Sequence, residues 1–190
     1  MLQLVAIFML SWASGEPKPF WQAKEKIHAR IVEREVIVSV KSVQKKLIVA
    51  GGGRVHAPVD FTYNRALEFE RLPEVSDVVR SSRFDAKTKR LDLGLSAYGY
   101  STTMRLEIEA TPLKIAYRML TGPLKGMTGA FRFFDVPPAR TEVGMDGELE
   151  YDELPLPRFF LTFGMEVVFQ RLAVSLREHV EREFKKEKSK

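Results

Sequence analysis

The sequence has 190 residues, of which 45% are hydrophobic and 29% are charged, with a formal net charge of +5 at pH 7. This length and composition favour one globular domain with a substantial hydrophobic core. The chain contains no cysteine, which excludes disulfide bonds, thiol catalysis and thiolate metal sites. Part of the positive charge lies in residues 185–190, which we expect to form a solvated tail. Elsewhere basic and acidic residues alternate, so the charge pattern argues against nucleic acid as a partner.

The N-terminal residues 1–14 differ from the rest of the chain. Residues 1–10 are an uncharged apolar run, and the small residues Ser11 and Ala13 occupy the −3 and −1 positions of a cleavage after Ala13. This pattern is typical of a secretory signal peptide, although no Lys or Arg precedes the apolar run. Cleavage there predicts a periplasmic or secreted protein. The alternative is an apolar N-terminal helix that docks on the domain.

Most of the remaining sequence predicts strands that are separated by turns. Residues 15–30 are expected to be a linker and an N-terminal extension, with a short helix in its charged second half. A further short helix is expected at 61–69. Three consecutive glycines at 51–53 indicate a bulge or a sharp bend in the second strand. The predicted strands cover 31–43, 47–55, 75–84, 88–97, 101–110, 113–120, 130–136 and 140–151.

Apolar and polar residues alternate along these strands. In 88–97, for example, Leu91, Leu93 and Leu95 are separated by Asp92 and Gly94. Such alternation predicts an antiparallel sheet with one apolar face and one solvated face. The apolar face then requires another element to cover it.

A long helix is predicted at the C-terminal end, over 155–184, with prolines at its start. In 159–169 apolar residues occur on nearly every side, which indicates that other elements enclose this half or that it lies beside a cavity. Beyond it, Arg177 and Glu181 are expected on the solvated side of a narrower apolar stripe. That stripe consists of Leu172, Leu176 and Val180.

Several short motifs follow one another in a fixed order. They are Val55-His56-Ala57-Pro58, Leu72-Pro73-Glu74-Val75, the pair Gly122 and Gly129 around a loop, Arg140-Thr141-Glu142-Val143, and Leu156-Pro157. Together with the order of elements, this set resembles the START-like, helix-grip superfamily (SRPBCC). It is most similar to the polyketide cyclase/dehydrase and coenzyme Q-binding branch. The resemblance covers about 46–183, and the strand at 31–43 is an addition ahead of the family's first strand.

The resemblance implies an α+β helix-grip domain over 31–184. In that fold a curved antiparallel sheet of about seven strands wraps round the long C-terminal helix, and two short helices follow the first family strand. The resemblance also implies an apolar cavity between sheet and helix, which the family uses for lipids, quinones, sterols or polyketides. Because the family contains carriers as well as cyclases, the fold alone does not choose between them.

The predicted cavity lining is a set of aromatic and methionine residues on the inward faces. Flat rings and flexible methionine side chains suit a varied apolar ligand, although ordinary core packing explains the same residues. The tyrosine hydroxyls either donate to a ligand or only place a ring in the core. The loop at 121–129 is either a lid over the cavity or a plain hairpin connection. The predicted lining residues are Tyr98, Met104, Tyr117, Phe131, Phe133, Met145, Phe163 and Phe169.

The sequence predicts no catalytic residue, metal site or cofactor. The three histidines, His28, His56 and His179, fall in separate predicted elements and lack the spacing of a metal motif. The sequence also lacks the GxSxG motif of serine hydrolases.

Three functions remain open at this stage. The first is an exported binding or carrier protein for a hydrophobic small molecule or lipid, such as a quinone or polyketide-like compound, with transient membrane contact. The second is a cyclase or dehydratase acting on a polyketide-like substrate, which requires titratable side chains that meet inside the cavity. The third is a protein or membrane interaction module with a filled cavity and an exposed apolar patch. The apolar inward faces favour the first function over the second but do not separate it from the third.

Overall fold

The computed structural model of the protein describes residues 24–97, 99–152 and 164–189. The predicted signal peptide, Tyr98, Phe163 and the predicted start of the C-terminal helix lie outside these ranges. The described strands are β1 (Ile37–Val43), β2 (Lys46–Val55), β3 (Val79–Asp85), β4 (Arg90–Ala97), β5 (Tyr100–Thr111), β6 (Lys114–Met119), β7 (Thr128–Val136) and β8 (Arg140–Glu150). The described helices are α1 (Glu25–Val32), α2 (Val59–Ala66), α3 (Leu72–Val75) and α4 (Met165–Lys188), with a 3₁₀ helix at Phe69–Arg71.

Within the described ranges, eight strands form one antiparallel sheet in the order β1-β2-β8-β7-β6-β5-β4-β3. One face of this sheet, called the inner face below, packs against α2 and α4 and carries the main hydrophobic core. The α+β helix-grip fold predicted from the sequence is therefore confirmed. The sheet has one strand more than the seven expected for the family, because the additional strand β1 extends it beyond β2.

The N-terminal boundary of the first predicted strand is wrong. Ile31 and Val32 end α1 instead of starting a strand, and the chain reverses at Arg34, whose φ is +72°. The side chain of Ile31 is fully buried where α1 packs against β2. This tertiary contact outweighs the strand preference of two neighbouring β-branched residues. The domain boundary that we predicted at residue 30 consequently falls inside α1.

The glycines of β2 do not produce a bulge, which corrects a second prediction. The pairing of β2 with β8 continues without a register shift through all three glycines, and the pairing with β1 does so through Gly51 and Gly52. Gly51 and Gly53 point to the inner face, where side chains of β1 and of the residue before it take up the space. A Cβ atom at Gly53 would lie 3.2 Å from Cγ2 of Val36. These two glycines therefore make room for neighbouring valines and leave the strand regular.

Helix α4 confirms the long C-terminal helix over the part that the structure describes. It continues to Lys188, so most of the predicted solvated tail is helical, although its residues are exposed. Of the described helices, none is both long and apolar enough to cross a membrane.

Candidate ligand-binding site

The centre of the inner face is a row of residues that are neighbours across four strands. The register pairs Gly51 of β2 with Met145 of β8, Met145 with Phe131 of β7, and Phe131 with Ile115 of β6. Ile115 is buried, whereas Phe131 and Met145 are only partly buried. Gly51 contributes no side chain to the row, and the ends of the Val38 and Met145 side chains lie beside it.

Six of the eight predicted lining residues lie in the described ranges, and all six belong to one hydrophobic cluster. Tyr117 and Phe133 are buried in it, while Met104 and Phe169 are partly buried, like Phe131 and Met145. Met104 pairs with Leu93 of β4, which is also partly buried. The structure thus brings together side chains that are up to 65 positions apart in the sequence, from Met104 to Phe169.

Tyr117 lies across the inner face above two glycines. A Cβ atom at Gly129 or Gly147 would lie 2.6 Å or 2.5 Å from its hydroxyl oxygen, so both positions need glycine for the ring to fit. The hydroxyl donates a 3.0 Å hydrogen bond to the carbonyl oxygen of Asp146. Burial, aided by the nearby Asp146 carboxylate, raises the pKa of Tyr117, so the hydroxyl stays protonated. Tyr117 therefore places its ring in the core and its hydroxyl on the backbone.

The apolar stripe of helix α4 is only partly buried. Among its residues 165–188, only His179, Val180 and Glu181 are buried. Met165 and Phe169 pack against the main cluster yet stay partly exposed, and Leu172 and Leu176 are also partly exposed. Within 165–188, helix α4 consequently buries its side chains against the rest of the molecule only towards its C-terminal end.

That C-terminal closure is a small second cluster of apolar residues. Val180 packs there with Val55 and Ala57. The rings of Phe61 in α2 and Phe184 in α4 lie beside it with their centroids 5.1 Å apart. The C-terminal end of the predicted stripe, at Val180, therefore packs against the end of β2.

The loop at 121–129 is a hairpin connection whose apolar side chains enter the core. Leu124 and Met127 are buried, with exposed fractions of 7% and 1%. Gly122 and Gly126 adopt positive φ angles of 98° and 95°, which allow the tight path of the chain. The loop thus connects β6 and β7 with its apolar side chains in the core, and a role as a lid stays a prediction.

Several polar side chains next to the main cluster are already bonded to the protein. Ser82 Oγ donates to the carbonyl oxygen of Phe69 at 2.6 Å, and Tyr63 Oη donates to that of Thr111 at 2.7 Å. The hydroxyls of Ser42 and Tyr151 bond to each other at 2.6 Å. Together with Tyr117, these groups leave the surroundings of the partly exposed apolar residues mainly hydrocarbon and aromatic.

The three histidines lie in different segments of the chain. His28 of α1 lies 3.1 Å from Glu142 on the other face of the sheet, and His56 lies between β2 and α2. His179 is buried in α4, and burial lowers its pKa. Across the described ranges, no three histidine, aspartate or glutamate side chains come together in a way that could hold a metal ion.

Sequence reasoning missed two groups of polar contacts. On the outer face, Arg54 and Glu142 form a buried ion pair of 2.6 Å next to His28. On α4, Glu181 is buried and Arg177 is partly buried, whereas both were predicted on the solvated side. Arg177 donates to the carbonyl oxygen of Arg34, and Glu181 accepts from the Arg34 guanidinium. Charged residues at regular helical spacing give no local signal that a distant segment will bind them.

The sequence matches no protein-family model and no curated protein. Solved structures match with fold-level similarity. A START superfamily protein from Mycobacterium smegmatis has a TM-score of 0.61 at 17% identity, over 71% of this chain and 97% of that one. The Zhui aromatase/cyclase from a Streptomyces species has a TM-score of 0.58 at 19% identity, over 74% and 94% of the two chains.

A protein from Thermus thermophilus has a TM-score of 0.59 at 21% identity, over 70% of this chain and 96% of that one. Identities in this range establish a common fold and nothing finer. The predicted resemblance is confirmed at that level. This chain has the START-like helix-grip fold.

Proposed function

We propose that the protein binds a hydrophobic small molecule or lipid between the inner face of its sheet and α4. One observation carries this proposal: apolar side chains on both surfaces remain partly exposed. They are Phe131 and Met145 on the sheet and Met165 and Phe169 on the helix. An apolar ligand that covers them gains about 25 cal/mol for each Å² of apolar surface removed from water.

Two further observations support a binding or carrier role. The solved neighbours include a START superfamily protein and an aromatase/cyclase, and a fold shared with such proteins favours a site for a hydrophobic small molecule. In addition, Tyr63, Tyr117 and Ser82 bond to backbone carbonyl groups, so their hydroxyl protons are already donated within the protein. A ligand in this position is recognised chiefly through its apolar surface and shape.

The second candidate is a cyclase or dehydratase, which the name of the Zhui aromatase/cyclase neighbour favours. Such an enzyme needs a general acid or base within hydrogen-bond reach of the reacting atoms. The inner-face row contains instead a glycine, Met145, Phe131 and Ile115. For this reason we place the binding or carrier function first. The partly exposed lining likewise argues against a module with a completely filled cavity.

We further propose that the protein is exported, on the basis of the signal-peptide pattern in 1–14. Export would place the binding site where a carrier exchanges lipid or quinone with a membrane during transient contact. A reporter fused behind residues 1–15 tests this proposal. A periplasmic or secreted reporter signal would support export, and a signal confined to the cytoplasm would overturn it.

The binding proposal is tested with the full chain purified without detergent. Native mass spectrometry before and after organic extraction detects a hydrophobic ligand that co-purifies. Titration with the fluorescent hydrophobe N-phenyl-1-naphthylamine measures binding by the extracted protein. Saturable binding would support the proposal, and a folded protein that binds neither the extract nor the probe would overturn it.

Two variants that each place a glutamine on α4 locate the site. Phe169→Gln removes a ring from the main cluster and is expected to weaken probe binding at least about tenfold, or about 1.4 kcal/mol. Glu178→Gln changes a position outside that cluster and is expected to leave binding unchanged. Equal affinity for both variants would exclude α4 from the site.

A further inference from the structure

One side of α4 is bonded to the N-terminal extension, which we define as α1, β1 and the turn between them. Glu166 Oε1 accepts from the backbone N–H of Val40 at 2.7 Å, and Gln170 Nε2 donates to the carbonyl oxygen of Val36 at 3.3 Å. Arg177 donates to the carbonyl oxygen of Arg34 at 2.5 Å. The Arg34 guanidinium donates in turn to Glu181 at 2.5 Å.

These contacts form one line along the helix. At about 100° per residue, positions 166, 170, 177 and 181 fall within about 60° of the helix circumference. Met165, Phe169, Leu172 and Leu176 fall within a second arc, about a third of a turn away. The residues of the first arc bond to the N-terminal extension, and the residues of the second arc form the partly exposed apolar stripe. The contacts with the extension therefore set the rotation of α4 about its own axis.

The contacts also set the position of α4 relative to the sheet. Strand β1 is at the end of the sheet, so its outward backbone groups have no neighbouring strand to pair with in the described part of the chain. Val40 N–H is such a group, and Val36 C=O lies directly before the strand; Glu166 and Gln170 satisfy the two. Helix α4 consequently follows this edge and reaches the inner face from the side.

Strand β1 adds apolar surface on the same inner face. Val38 pairs with Gly51 and Val40 with Val49, so both valines share the face of the inner row. Val40 is buried and Val38 is partly buried, and both belong to the cluster that contains Met165 and Phe169. The region of family resemblance starts after β1, so these contributions come from the added segment.

We infer that the N-terminal extension is part of the ligand site, where β1 forms one wall and its edge holds the apolar stripe of α4 towards the inner face. This inference rests on the proposed function. It assigns a positioning role to Glu166 and Gln170, which act through α4 and the β1 backbone without requiring contact with the ligand. It follows that loss of the two hydrogen bonds changes ligand affinity while the apolar lining stays intact.

The test compares the wild-type chain with the double variant Glu166→Ala/Gln170→Ala and with the matched control Glu166→Gln. The control keeps a side-chain oxygen that accepts from Val40 N–H. Hydrogen exchange of the Val40 amide reports whether the anchor is present, and titration with N-phenyl-1-naphthylamine reports affinity. We expect faster exchange and at least about tenfold weaker binding in the double variant, with near wild-type values in the control.

Four outcomes decide the matter. Faster exchange at Val40 with weaker binding in the double variant alone supports the inference. Faster exchange with unchanged binding overturns it and leaves the proposed function intact. Unchanged exchange in a folded double variant also overturns it, because the anchor would then not depend on these side chains. A wild-type chain that binds no probe overturns both proposals. If the double variant does not fold, Glu166→Ala alone supplies the same comparison, because Glu166 is the residue that accepts from the Val40 amide.

Discussion

The hydroxyl oxygen of Tyr117 lies 3.0 Å from the carbonyl oxygen of Asp146, over the backbone of Gly129 and Gly147. The register pairs Tyr117 with Gly129 and Gly129 with Gly147, so one ring spans three strands. The Tyr117 ring thus occupies the space that side chains at positions 129 and 147 would otherwise fill. This relationship makes the identity of each glycine depend on the tyrosine.

Gly147→Ala is expected to destabilise the protein by about 1–3 kcal/mol, because the new methyl group would lie 2.5 Å from the Tyr117 hydroxyl. Chemical denaturation measures the loss. Gly51→Ala is the matched control: its nearest contacts are 3.3–3.8 Å, so a smaller loss is expected. Combining Gly147→Ala with Tyr117→Phe should recover part of the stability. Strict additivity of the two losses would show that the residues are not coupled.

Tyr117 also predicts how stability changes at alkaline pH. Burial raises its pKa in the folded protein above the usual value of 10.0. Above that value the unfolded chain releases the hydroxyl proton while the folded chain keeps it, so the free energy of unfolding falls as pH increases. Tyr117→Phe should reduce this fall between about pH 10 and 11. Identical pH slopes for the wild type and the variant would contradict the prediction.

His179 predicts a loss of stability on the acid side. Its pKa is lowered, mainly by burial and further by Arg71 and Arg182, with Glu183 and Glu68 opposing the shift. Below the usual value of 6.5 the unfolded chain binds a proton that the folded chain does not, so the free energy of unfolding falls as pH decreases.

His179→Gln should remove part of this dependence between about pH 6.5 and 5. Denaturant titrations at a series of pH values measure it. His56→Gln serves as a comparison, because burial also lowers the pKa of His56 but its side chain is exposed and can reach solvent. A pH slope that His179→Gln leaves unchanged would show that this histidine titrates normally in the folded protein.

The buried ion pair on the outer face predicts an asymmetric response to substitution. Arg54→Met removes the cation closest to the Glu142 carboxylate beneath α1, and a loss of about 3–5 kcal/mol is expected. Arg54→Met together with Glu142→Leu removes both charges and should recover most of that loss. Thermal denaturation checks both variants. Equal losses for the single and the double variant would indicate that lost packing, and not the buried charge of Glu142, controls stability here.

The strands of the inner face could be predicted from the sequence because each carries its own alternation. Leu91 and Leu93, or Phe131 and Phe133, mark one face without reference to any other segment. Such patterns led to the cluster that contains all six described members of the predicted lining. Whether those residues touch a ligand stays a prediction that the probe titrations address.

The errors share a different physical origin. Ile31 has strand propensity, but its burial at the end of α1 is determined by β2, and Arg34 turns the chain by adopting positive φ. Gly53 has a local strand-breaking signature, yet the Val36 side chain fills the space above it. The spacing of Arg177 and Glu181 predicts a solvated helix face, but both residues bond to Arg34 of the N-terminal extension. In each case the deciding partner lies elsewhere in the chain, so no local pattern could identify it.

The contacts of Glu166 and Gln170 with the edge of β1 have a consequence for self-association. An uncovered edge strand offers its free N–H and C=O groups to a strand of another molecule. Because α4 occupies two of these groups at this edge, the helix blocks pairing there as an added strand would. Any event that detaches α4, including partial unfolding, also uncovers a template for aggregation. Solubility of this protein is therefore tied to the same hydrogen bonds that orient its C-terminal helix.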